Sequence, residues 1–262
     1  MTRIENYNYY NNYENPNNYY YKQRNPLLAE VGLVAATLAT GLVYKALPSF
    51  SNPFIKQITK EHQNNDIYKD IFQKAIKNSK LQDQGLQVIH TTDTTTDIGK
   101  GLNASFYPDQ KIIKLNKDKA SISGFHELGH AMNNMNKGWG RFLQKLRKPG
   151  QSIAGLMLTV ALLVRNKPKE ADKTPLDYIQ DNCGKIAFLG MMPTVIEETM
   201  ASYKGIKAAK EAGLAKAHIK NLHKFYLKAL LSYGGYALVS GVAVFVASKI
   251  MEKFTRPKKV EY

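Results

Sequence analysis

Gly124-Phe125-His126-Glu127-Leu128-Gly129-His130-Ala131 is the stretch from which the rest of the chain is read. It contains His-Glu-x-x-His. On an α-helix that spacing sets His126 and His130 one turn apart on the same face. Two imidazoles so placed can bind one Zn²⁺, and Glu127 between them lies where it can take a proton from water at the metal. A helix whose two histidines merely pack or titrate would carry the same letters, so the flanking sequence has to decide.

Working upstream, Asn103 to Leu115 reads NASFYPDQKIIKL, two short strands joined by a Pro108-Asp109 turn. A strand edge just before the metal helix can hold a peptide extended by main-chain hydrogen bonds. Asn103-Ala104-Ser105 also matches a glycosylation sequon, which is read as chance because no secretory signal accompanies it. Ser121 to Ser123 supplies the expected helix N-cap. Leu86 to His90 is a further strand, and Thr91 to Asp97 with Gly99 to Gly101 is loop. Pro53 to about Leu86 is amphipathic helix, with Ile55, Ile58, Ile67, Ile71, Phe72 and Ile76 on its apolar side.

The apolar residues come in blocks. Leu27 to Leu47 approaches the roughly 20 residues that a bilayer demands, and Ala229 to Ile250 is apolar over 22 residues. Ile153 to Val164 and Ile186 to Ile196 are 12 and 11 residues long, and are read as a hairpin at the membrane. Arg165 to Lys185 forms a polar loop between them. The sequence thus divides into a disordered Asn/Tyr-rich tail (1–26), a spanning helix (27–47) and a catalytic region (48–228). That region is interrupted by the hairpin at 152–196 and followed by a second spanning helix (229–250) and a basic tail (251–262).

The net charge is +16, and the lysines gather beside the apolar blocks. Seven lysines stand against one glutamate between Lys204 and Lys228. No nucleic-acid module accompanies that charge, so lipid is the expected partner and nucleic acid is not. Cys183 is the only cysteine, which excludes an internal disulfide and a cysteine-based zinc site.

A catalytic zinc takes three protein ligands and leaves a position open. His62, His90, His218 and His223 are available, but Glu197 and Glu198, at the start of a helical stretch, are better placed by type. In order and spacing, His126-Glu127-Leu128-Gly129-His130, an apolar hairpin and then Glu198-Thr199-Met200-Ala201-Ser202 resemble the membrane zinc metallopeptidases of the HtpX and CaaX-prenyl-protease type. The resemblance covers roughly Asn103 to Lys228. It implies a mostly helical α+β, zincin-like domain with membrane helices and one Zn²⁺ per chain. His126, His130 and Glu198 would be its ligands and Glu127 the general base. It also implies an endopeptidase acting on a peptide or protein substrate held along the Asn103–Leu115 hairpin. Ser202 stands where that group has Asp, a residue that would orient a ligand histidine.

A shared site requires His126 and Glu198 on one side of the bilayer. Four crossings satisfy this, and so does a re-entrant hairpin. Basic residues at 137–148 and 204–228 favour the cytoplasmic side. Tyr203, His218 and His223 are candidate donors to a developing oxyanion. An intramembrane protease is disfavoured, because polar strands precede the motif and Asn133, Asn134 and Lys137 follow it. The alternative from another class is a catalytically degenerate, membrane-anchored scaffold or interaction protein, with Ser202 and the Asn/Tyr-rich N-terminal tail as its best support.

Overall fold

A computed structural model of the 262-residue chain describes residues 20–22, 25–61, 66–91, 104–116, 122–164, 167–168 and 172–260. The architecture is mostly helical with a small sheet. In chain order the elements are β1 (Tyr20–Lys22), α1 (Pro26–Glu61), α2 (Asp66–Ser79), β2 (Gln87–Thr91), β3 (Ala104–Tyr107), β4 (Ile112–Asn116) and α3 (Ser123–Met135). There follow α4 (Trp139–Leu163), α5 (Pro175–Asp181), α6 (Cys183–Glu211), α7 (Lys216–Thr255) and β5 (Lys258–Val260).

The chain groups into two compact units. One comprises 1–45, 153–188 and 239–262, and the other 46–152 and 189–238. The second holds the sheet, in the order β2-β4-β3, with β2 parallel and β3 antiparallel to the central β4. Ile113 and Leu115 of β4 are buried against Tyr68, Phe72, Ala75 and Ile76 of α2 and Phe125, Leu128 and Ala131 of α3. Those α2 positions recur at helical spacing, so one stripe enters the core while Lys69, Asp70, Lys74 and Lys77 stay outside. The β3–β4 turn is closed by Lys111, which takes the left-handed conformation at φ 54°.

Glycine sets how closely α3 and α6 approach. A Cβ at Gly129 would lie 1.9 Å from the Ala201 carbonyl oxygen, and one at Gly205 would lie 2.2 Å from that of Phe125. Likewise, a Cβ at Gly150 of α4 would lie 2.1 Å from the Gly190 oxygen of α6. Three helix backbones can therefore pack around one small volume. α6 ends in a Schellman turn, with Leu214 N–H on Ala209 O at 3.0 Å, Gly213 N–H on Lys210 O at 3.1 Å, and Gly213 at φ 96°.

In the other unit, β1 pairs antiparallel with β5, Tyr21 opposite Lys259. The ends of α1 and α7 meet where a Cβ on Gly32 would lie 2.7 Å from Phe254 Cβ. α5 opens with a capping box between Thr174 and Asp177 and has Pro175 in its first turn.

Among the described residues two helices, α1 over Pro26–Val43 and α7, are long and apolar enough to cross a membrane. Leu27, Val34, Leu38 and Leu42 of α1 and Leu231, Leu238 and Phe245 of α7 are exposed.

Several expectations change in detail. The apolar blocks 153–164 and 186–196 lie almost wholly within the longer helices α4 and α6, neither of which has an apolar stretch long enough to match α1 or α7. α1 runs on to Glu61, past the expected end at 47. The polar loop 165–185 contains α5 and the start of α6, because the Thr174–Asp177 box is a strong local start signal. Ile122 occupies the N-cap of α3 in a helical conformation without a side-chain bond, so Ser123 is helical and not the cap. β1 and β5 fall within the expected tails. Residues 1–19, the loop 92–103 and Ser121 lie outside the described residues.

Candidate metal centre

All the site residues belong to the unit containing the sheet. α3 presents His126 and His130 on one face, and α6 presents Glu197 and Glu198 opposite them. The Nε2 atoms of His126 and His130 are 3.0 Å apart. Glu198 Oε2 lies 3.0 Å from the first and 3.4 Å from the second. Three donor atoms thus form a nearly equilateral triangle. A tetrahedral ion with bonds of about 2.0–2.2 Å needs ligand-to-ligand edges of about 3.3 Å, so this triangle fits one with little adjustment. His130 and Glu198 are buried and His126 is nearly so. The cluster could hold a metal ion.

Each donor is held from behind. His126 Nδ1 lies 3.1 Å from Ser202 Oγ, and His130 Nδ1 lies 2.9 Å from Glu197 Oε1. With the Nδ1 hydrogens directed backwards, both Nε2 lone pairs can face the shared volume. Glu197 in turn accepts from Asn133 Nδ2 at 2.9 Å and from Arg147 Nη1 at 2.8 Å. The other arm of Arg147, Nη2, donates to Glu198 Oε1 at 2.6 Å. One guanidinium therefore spans both carboxylates and leaves Glu198 Oε2 for the histidines. The fixed fork of arginine suits that task, and a lysine could not span the pair in the same way.

Burial would raise the pKa of Glu198, but bonds to His126 and His130 outweigh it and hold the group well below the usual carboxylate range. Glu197 is also lowered, because contacts with His130, Asn133 and Arg147 overcome its burial. Burial alone would favour neutral His130. Its bonds to Glu197 and Glu198 instead raise its pKa to about 10. Counting Glu127 beside His126 and His130, the site carries three carboxylates and one guanidinium, a surplus of acidic groups that suits a divalent cation.

Glu127 Oε2 accepts the Phe106 N–H at 2.7 Å. Phe106 lies on β3, an edge strand of the sheet among the described residues, and its amide points away from β4 and towards the motif helix. The Tyr226 ring lies 5.3 Å from that of His126, and its hydroxyl is tied to Ile122 O at 2.7 Å.

The structure brings His126, Glu127, His130 and Glu198 together, and Glu197 stands behind His130. The other sequence candidates divide. His218 is engaged with the Tyr68 hydroxyl at 3.1 Å, while Tyr203 and His223 are exposed. His90 is exposed on β2, and His62 lies outside the described residues. Sequence reasoning missed Arg147 and Asn133, and also Tyr233, which interacts electrostatically with Glu198. Arg147 looked like one more cation in a basic run, and Tyr233 was hidden inside an apolar block. Asn133 did carry a signal, since it lies three residues after His130 on the same helix face.

Comparison of the chain with protein-family models, curated proteins and solved structures returned no significant match.

Proposed function

We propose that this protein is a zinc-dependent endopeptidase anchored in a membrane by α1 and α7. The observation that carries the reading is the triangle of His126 Nε2, His130 Nε2 and Glu198 Oε2, in which each donor is braced from behind. Those three residues hold one Zn²⁺ per chain. When bound, the ion supplies a Lewis acid for the scissile carbonyl and brings water into its acidic range near neutral pH.

The chain's own groups do the rest. Glu127 accepts the proton of the attacking water and returns it to the leaving amine. The substrate lies extended along β3, using main-chain groups of its outer edge, where the Phe106 N–H now held by Glu127 has to change partner. Tyr233, a partly buried hydroxyl that interacts electrostatically with Glu198, is the donor assigned to the developing oxyanion in place of Tyr203, His218 and His223. The basic residues of 137–148 and 204–228 favour a site facing the cytoplasm.

The test is metal content and peptide hydrolysis by detergent-purified protein. One zinc per chain, lost in His126→Ala and Glu198→Ala, is expected. Glu127→Gln should keep the zinc and lose hydrolysis. A wild type that takes up no zinc on reconstitution would transfer the assignment to a membrane-anchored scaffold.

A further inference from the structure

Arg147 reaches the metal cluster from the inner face of α4, together with buried Gly140, Leu143 and Gly150. The outer face of the same turns carries Arg141, Phe142, Lys145, Lys148 and Pro149, all exposed. Trp139 begins the helix 62% exposed, and its ring stacks 5.0 Å from that of Phe142, itself 48% exposed. Exposed aromatics of this size are costly in water unless something covers them.

Charge identifies the cover. No acidic residue occurs between Glu127 and Glu170. Among the described residues none of Lys137, Arg141, Lys145 and Lys148 is paired with a carboxylate. An amphipathic tryptophan stacked on an apolar phenylalanine and flanked by four cations without carboxylate partners matches the headgroup level of a bilayer, where tryptophan concentrates and anionic lipid attracts basic side chains. A protein partner would have to offer both an apolar socket and an acidic ring.

We propose that the Lys137–Pro149 face docks on an anionic lipid surface, with Trp139 and Phe142 inserted at headgroup depth. The metal-facing and lipid-facing sides then belong to one helix, so the cluster stands about one helix diameter, roughly 10 Å, from the headgroups. Resting on the peptidase reading, this assigns the substrate class: polypeptide just outside the bilayer, rather than a membrane-buried span.

Trp139 is the only tryptophan in the chain, so its fluorescence reports on this face alone. The full chain is reconstituted into vesicles of phosphatidylcholine with or without phosphatidylglycerol, and zinc is measured on the same samples. In anionic vesicles the emission should shift to the blue. Quenching by brominated acyl chains should rise and quenching by aqueous acrylamide should fall. The combined substitution Arg141→Gln, Lys145→Gln and Lys148→Gln should abolish the difference between the two lipids and leave zinc content unchanged. Acrylamide-accessible Trp139 in both lipids, or equal protection in both, would overturn the proposal. Protection in detergent that depends on protein concentration would also overturn it, by assigning the face to a second copy of the chain. Absence of zinc would count against the peptidase reading alone, since the fluorescence does not depend on metal.

Discussion

His130 Nδ1 lies 2.9 Å from Glu197 Oε1, so the carboxylate behind a candidate ligand histidine comes from the residue directly before Glu198. The second brace, on His126, is only the Ser202 hydroxyl at 3.1 Å. Because an ionised acceptor makes the stronger bond, the two braces are unequal. Glu197→Gln should weaken zinc affinity by about 10–100-fold. Ser202→Ala should weaken it less. Competition with a chromogenic chelator measures both, and equal losses would refute the ranking.

Arg147 neutralises two carboxylates that are otherwise buried. Arg147→Met should destabilise metal-free protein by about 3–5 kcal/mol, the usual cost of stranding one side of a buried ion pair. Added zinc should recover part of that loss, because the dication meets the same negative charge. Denaturant unfolding with and without zinc gives both quantities. A variant as stable as wild type without metal would show that the guanidinium is dispensable.

Gly129→Ala and Gly205→Ala should each cost about 1–3 kcal/mol or more, since the new methyl meets a backbone carbonyl that cannot rotate away. Both should also release zinc, because the same contacts set the distance from His126 and His130 to Glu198. Gly155→Ala on α4 is the control: nothing lies within 4 Å of its Cβ position, and helix propensity predicts a gain of about 0.5–1 kcal/mol. Thermal unfolding alongside metal analysis separates the outcomes.

The pH dependence follows from the same cluster. In metal-free protein His130 has a pKa raised from 6.5 to about 10, so its contribution is complete below 6.5 and is lost as pH rises towards 10. Glu197 and Glu198 are lowered from 4.5, so theirs is present above that value and is lost as pH falls below it. Chelator-treated protein should therefore draw most from this cluster between pH 4.5 and 6.5. Zinc needs His130 without its proton, so the Tm difference between zinc-loaded and chelated protein should widen as pH rises through neutrality. A constant difference across that range would contradict the assignment of His130 as a ligand.

Several features were legible in the chain because they are local. His126 and His130 share a face because a helix returns to the same side after four residues. The β3–β4 hairpin follows from two short apolar strands around Pro108-Asp109, and α1 and α7 contain the two longest apolar blocks. Glu197 and Glu198 could be picked out by residue type. Their division of labour, Glu198 at the Nε2 atoms and Glu197 behind His130 with Arg147 joining both, is seen only in the tertiary structure. Adjacent residues on a helix point about 100° apart, so their roles depend on how α6 is rotated against α3. Contacts at Gly129, Gly205 and Gly150 set that rotation and spacing, and they act between segments far apart in the chain. Local periodicity therefore reveals which side chains can share a face, while packing between helices determines which of those faces meet.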